Sequence, residues 1–305
     1  EICKLKKQSN KPIVVTFMGQ DLVKSGVDIL NKNAITTTLF PEESSSSFSA
    51  LNMFSKWRES RLSKPPKFKN INKKSAAKII KSHTKSQKNL KLTESFKILK
   101  SYGFPVPSMW LIKNKGEALT LSKGITGNSV LKISSPDINH KTDIGGVVLN
   151  VENSNIVKEY ESLINRVKKK RPKATIDGVL LMPQIESGIE LILGVKTDPN
   201  LGKQILVGLG GIYAEVLKDT SWGIAPLSKA DIKRMIGHLK VAKILSGARH
   251  QEPYAIEVVE DCIGRLSQLA VDFPEIEELD INPLEVLSRQ KGAVVVDARI
   301  AINSV

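Results

Sequence analysis

The chain has 305 residues, of which 41% are hydrophobic, and a formal net charge of +15. That is enough for two domains of ordinary size, or for one large domain plus a fragment. No run of about 18 apolar residues occurs, which argues against a membrane-spanning helix; the start, Glu1-Ile2-Cys3-Lys4-Leu5, holds no apolar signal core, and Cys3 and Cys262 fit neither a metal spacing nor a disulfide framework, so a reducing cytoplasm is expected.

In chain order, residues 12–58 read as an α/β unit. The run Ile13 to Met18 is a short buried strand ended by Gly19, followed by a helix from about Asp21 to Asn33 and a second short strand from Ile35 to Phe40. Pro41 then opens a helix through Trp57, at an early position where its missing N–H costs nothing. Such a unit is too small to bury both faces of a sheet and reads as the last piece of a larger domain.

The next stretch carries most of the charge. From Lys56 to Lys91 there are thirteen Lys/Arg against one acid, Glu59, which is +12 of the +15. With Pro65-Pro66, many Ser and Asn, and little hydrophobic periodicity, it reads as a solvated linker. The other reading is a tether to RNA or a membrane surface. The few aromatics, Trp57 and Phe68, argue against a base-stacking platform.

A long α/β region follows. Thr93 with Glu94 begins a helix ending near Gly103, and Met109 to Ile112 is a strand. So is Ser129 to Ile133, whose Lys132 places an amine inside an apolar run and needs a partner. The polar loop after it, with His140, Lys141 and Gly145-Gly146, suits a phosphate, because glycine lets backbone N–H groups approach oxygens. The alternative is a lysine snorkelling from a strand end. His140 stands in a polar loop and not on an apolar face, so it can act as a neutral nucleophile near neutral pH.

Gly146 to Val151 is a strand, and Ser154 caps a helix to about Lys170. Val179 to Met182, Glu190 to Val195 and Gln204 to Leu209 are three further strands. The connection after Met182 could offer backbone groups to an adenine edge and Glu190 could take ribose hydroxyls, though spacing alone equally fits two core strands with an edge charge. Gly208, Gly210 and Gly211, with Glu215 and Asp219 beyond, mark a tight backbone path. Ser228 and Asp231 form a capping box for a helix over Lys229–Leu245, and a second helix covers Ala255–Phe273. Leu279 to Ile281 and Ala293 to Val296 are the closing strands. Asp280 and Asn282 are two apart and face one side of a strand. With Asp297 on the next strand they make a hard oxygen set suited to Mg²⁺, the alternative being turn chemistry at Asn282-Pro283.

Together these motifs resemble the ATP-grasp part of the NDP-forming acyl-CoA synthetases, the acetate–CoA ligase (ADP-forming) group, with succinyl-CoA synthetase as a more distant relative. The matching segments run from LKISSPDINHKTDIGGVVLNV through GVLLMPQIESGIELILGVKTDP and VGLGGIYAEVLKDTSWGIAPL to ELDINPLEV and VVDARI. The resemblance implies an α/β ATP-grasp fold over 91–305, a basic linker at 61–90, and at 1–60 the C-terminal remnant of a flavodoxin-like CoA-ligase domain. It implies that Lys132 holds nucleotide phosphates, that Met182 lies at the adenine hinge and Glu190 at the ribose, and that Asn282 and Asp297 bind Mg²⁺. It further implies that Asp280 orients a phosphohistidine and that His140 relays a phosphoryl group to ADP. The implied cofactors are ATP or ADP and Mg²⁺. The implied reaction joins an acid and CoA at the expense of ATP, giving ADP and phosphate.

The domains that bind CoA and carry the principal phosphohistidine are not among these residues. Partners are therefore expected: such domains or a second subunit, in a homo- or hetero-oligomer, without membrane or nucleic acid. The loop around Arg249 departs from the usual pattern of the group. The competing reading is a non-catalytic, synthetase-like regulatory module of a protein acetyltransferase.

Overall fold

The computed structural model describes residues 1–60, 63–83, 89–138, 141–211, 217–247 and 252–303. The chain divides into two compact units, Glu1–Lys64 and Pro65–Val305.

The first unit contains α1 (Ile2–Gln8), β1 (Val14–Thr16), α2 (Lys24–Lys32), β2 (Thr36–Thr38) and α3 (Pro41–Ser60). The strands pair in parallel, Val14 against Thr36. Pro41 is the first residue of α3, as expected, and the Glu43 carboxylate accepts from the Leu39 backbone N–H at 3.0 Å. Three hydroxyls, Thr16, Thr38 and Ser44, meet within 2.7–2.9 Å and tie both strands to α3. Two strands cannot bury an apolar layer by themselves. Among the described apolar side chains here only Leu30 and Ile35 are buried, while Met18, Leu22, Met53 and Phe54 are exposed.

Within the basic stretch read as solvated linker, residues 65–83 instead pack onto the second unit. Asn72 caps α4 (Lys73–Ser82) by accepting from the Ser75 N–H, and Ala76 and Ile80 are buried in the main core. Upstream, Phe68 lies under the Arg265 guanidinium, 4.5 Å from ring centroid to Cζ. Gly264 makes room for it: a Cβ there would sit 2.8 Å from the Phe68 ring. The stretch looks charged because its lysines point outward while the apolar residues recur at helical spacing beneath them.

The unit continues with α5 (Leu92–Ser101), β3 (Trp110–Ile112), α6 (Lys115–Ser122), β4 (Ser129–Ser134), β5 (Val147–Val151), α7 (Ile156–Lys170), β6 (Gly178–Pro183), β7 (Ile189–Asp198), β8 (Gly202–Leu209) and β9 (Thr220–Ile224). It ends with α8 (Lys229–Gly237), α9 (Ala242–Leu245), α10 (Ile256–Asp272), β10 (Ile276–Val286), β11 (Ala293–Val295) and β12 (Ala298–Ile302). Two antiparallel sheets result. One has the order β3-β6-β4-β5; the other has β11-β10-β7-β8-β9, with β12 also pairing with β10.

The helix expected over Lys229–Leu245 is two helices. Its start is the Ser228–Asp231 capping box, but the chain breaks before α9, where the Asp219 carboxylate accepts from the Lys240 and Val241 N–H groups at 2.8 and 2.9 Å. A carboxylate there satisfies otherwise orphaned helix donors. Helix α6 and strand β9 were not expected from periodicity, although Asn114 accepting from the Glu117 N–H is an ordinary cap.

Candidate active site

β4 is buried at every position, so Lys132 cannot simply snorkel to water. It is 6% exposed. Its Nζ donates to the Val296 carbonyl oxygen at 2.9 Å and lies 3.8 Å from an Asp297 carboxylate oxygen. An unpaired buried ammonium would cost several kcal/mol, so the partner is required. Burial pushes the Lys132 pKa below its ordinary value, Asp297 opposes that shift, and the charge of Lys141 adds to it.

Asp297 lies in the turn between β11 and β12, not on a strand as expected. Its backbone carbonyl accepts from the Asn282 N–H at 3.2 Å, and its carboxylate accepts from the Ala298 N–H at 2.9 Å. The turn is thus fastened to β10, which carries Asp280 and Asn282. Burial raises the Asp280 pKa; Glu278 and Asp297 act in the same sense, and Arg299 opposes them.

Asp280, Asn282, Asp297 and Arg299 line one cavity of about 850 Å³. Its facing wall includes Ser134, Ser135, Ile138 and Lys141 from the other sheet's side. Lys91 at the start of α5 reaches Asp177, just before β6, at 3.1 Å. No cluster of three His, Cys, Asp or Glu side chains suited to a metal occurs among the described residues. Two carboxylates and an amide nevertheless make the hard oxygen set that Mg²⁺ takes.

His140 lies outside the described residues, as do Glu215 and the divergent loop around Arg249. The glycines after His140 serve packing: a Cβ on Gly146 would fall 2.8 Å from both the Ile133 side chain and the Lys141 carbonyl oxygen. Met182, on β6, is buried opposite Val130 of β4. Glu190, on β7, is the register partner of Glu285 on β10 and is exposed. Its backbone carbonyl accepts from the Gly210 N–H at 2.7 Å. At Gly211 φ is +67°, a conformation that favours glycine, and the Glu190 carboxylate lies against it. Neither Met182 nor Glu190 lines the 850 Å³ cavity.

Sequence reasoning passed over Arg299, Lys91, Asp177 and Glu285. Glu285 is a buried acid that accepts from the Gly188 N–H. Its place between the apolar Leu284 and Val286 could have flagged it; the others depend on contacts distant in sequence.

The ATP-grasp domain family matches residues 81–302. The 4-hydroxybutyrate–CoA ligase [ADP-forming] of Nitrosopumilus maritimus is 38% identical over 99% of this chain, and the match covers 43% of that protein. The acetate–CoA ligase [ADP-forming] II subunit beta of Pyrococcus furiosus is 41% identical over 69% of this chain and 90% of the subunit. A solved structure of the dinucleotide-forming acetyl-coenzyme A synthetase 1 of Ca. Korarchaeum cryptofilum superposes with a TM-score of 0.65 at 33% identity, covering 76% of this chain and all of that one. It holds coenzyme A and Mg-AMPPCP, with its phosphohistidine segment pointing towards the nucleotide binding site. The chain spans less than half the length of the Nitrosopumilus ligase.

Proposed function

The chain belongs to the ATP-grasp family, in the branch of the ADP-forming acyl-CoA ligases, and from this we propose that it binds ATP or ADP with Mg²⁺ and moves a phosphoryl group between nucleotide and phosphohistidine. The full reaction would be acid + CoA + ATP = acyl-CoA + ADP + phosphate. Binding of CoA and of the acid falls to partner domains or a partner subunit. The packing of α4 into the same core supports a nucleotide domain that starts upstream of residue 91. Residues 1–60 are assigned to a flavodoxin-like ligase domain.

The observation that carries this reading is the buried Lys132 ammonium beside Asp297; Asp297, though not Lys132 itself, lines one cavity with Asp280 and Asn282. A fixed positive charge next to hard oxygen donors is what a polyphosphate and its cation need. Lys132 neutralises phosphate oxygens, and Asn282 and Asp297 hold Mg²⁺. Mg²⁺, when bound, offsets negative charge on the transferring group. Phosphoryl transfer depends mainly on positioning and charge neutralisation, and a protein that holds both reactants between two sheets supplies that. Asp280 orients the phosphohistidine, His140 relays the phosphoryl group, the Met182 backbone meets adenine and Glu190 takes the ribose hydroxyls.

Isothermal titration tests the reading. Mg–ADP should bind the wild-type chain, and Lys132→Ala and Asp297→Ala should each weaken binding by about ten-fold or more. No binding of Mg–ADP or Mg–ATP at millimolar nucleotide would refute it.

A further inference from the structure

Arg299 has no part in the reading above. It stands on β12 directly opposite Asp280 of β10. Register partners in antiparallel strands send their side chains to the same face, and both residues line the cavity with Asn282 and Asp297. Yet the guanidinium makes no ion pair within 4.0 Å with Asp280 or with any other described acid. Its Nε and Nη2 share one neutral acceptor, the Asn89 side-chain oxygen, at 3.3 Å each. A guanidinium has five N–H donors, so most of this fork is uncommitted. Two of the neighbouring cations are engaged, Lys132 with Val296 and Asp297 and Lys91 with Asp177, whereas Lys141 on the facing wall makes no ion pair with a described acid.

A free arginine fork beside a hard oxygen set is arranged for an oxyanion that the cation alone does not satisfy. Arginine meets phosphate oxygens in a bidentate way that lysine cannot reproduce. Lys132 reaches the turn carrying Asp297 from the other sheet, whereas Arg299 lines the cavity with Asp280 and with Ser135 and Lys141 of the facing wall. We propose that Arg299 binds the phosphoryl group in transit on the side away from the nucleotide, so that it recognises the phosphohistidine and not ADP; this rests on the phosphoryl-transfer reading above. In the ATP-forming direction the P–N bond to the imidazole breaks and a P–O bond to the terminal phosphate of ADP forms. The imidazole nitrogen keeps the bonding pair and takes up a proton from water.

The test uses the full chain and imidazolylmethylphosphonate, a phosphohistidine mimic whose P–C bond does not transfer. Titrated into the Mg–ADP complex, the mimic should bind the wild type. Arg299→Gln should weaken the mimic by about ten-fold or more while leaving Mg–ADP affinity within about two-fold. Arg299→Lys should recover only part of the loss, because it restores charge without the fork. Retained Mg–ADP binding also reports an intact fold in each variant. The inference is overturned if Arg299→Gln binds the mimic as the wild type does, if the wild-type Mg–ADP complex does not bind it, or if Mg–ADP affinity falls in parallel. A wild-type chain that binds no Mg–ADP defeats the phosphoryl-transfer reading itself, and this inference with it.

Discussion

Lys132 donates a hydrogen bond to the Val296 carbonyl oxygen at 2.9 Å, and so anchors one sheet to the turn of the other that carries Asp297. The bond joins positions 164 residues apart in sequence. It places the buried charge where its partner is half-open to solvent, since the Asp297 side chain is 34% exposed.

That asymmetry separates binding from stability at Lys132. Lys132→Met keeps volume and removes a buried charge, while Asp297 can still be hydrated. Mg–ADP affinity is expected to fall by about ten-fold or more. The thermal midpoint should stay within about 4 °C of the wild type, the shift that roughly 1–2 kcal/mol gives in a domain of this size. Calorimetry on both proteins checks this; a collapse of the midpoint would mean that the lysine is chiefly structural.

The packing of α4 makes a second prediction. Ile80 is 6% exposed and belongs to the main core. Ile80→Ala should cost about 2–4 kcal/mol in urea unfolding. A truly solvated segment would show almost none of that loss.

Asp272 gives the stability of this region a pH dependence. Burial alone would raise its pKa, but hydrogen bonds from Lys73, Tyr102 and Gln268 hold it below the ordinary 3.8. The Tyr102 hydroxyl and the Lys73 ammonium both donate to it at 2.8 Å. A depressed folded-state pKa contributes stability above the unfolded value, and that contribution is lost as pH falls through the folded value. Asp272→Asn should therefore be less stable than wild type at neutral pH, by about 1–2 kcal/mol. The two unfolding curves should converge in strong acid. Parallel pH profiles would show that the carboxylate is not ionised in these bonds.

The cysteines differ in access. Cys262 is fully buried and burial pushes its thiol up to about 12, whereas Cys3 is half-buried. Since the thiolate is the reactive form, iodoacetamide should label Cys3 alone in the native protein and both after unfolding, as read by peptide mass spectrometry. Native labelling of Cys262 would show that α10 opens readily.

Much of the fold can be read from the residues. Lys132 in an apolar strand, Ser228 with Asp231, and Asp280 with Asn282 all announce their positions through local rules of alternation and capping. The misreadings share one cause, which is that a distant group decides the outcome. The break before α9 depends on Asp219, some twenty residues upstream. The helix in the basic stretch depends on a core that covers Ala76 and Ile80. Arg299 acquires its neighbour Asp280 only through the register of β10 against β12. The site is legible where one strand carries it, and hidden where two strands must meet.

Strand β10 is hydrogen-bonded to β7 along one edge and to β11 and β12 along the other. Asp280 and Asn282 thus ride on one of the most heavily cross-linked pieces of backbone in the unit. Asp297 and Arg299 follow on the return limb of the same β-ribbon. Amide protons in this ribbon should be among the last to exchange with solvent. The ribbon from Asp280 to Arg299 is in effect a cassette, which carries its cavity-lining side chains on one continuous, hydrogen-bonded piece of backbone.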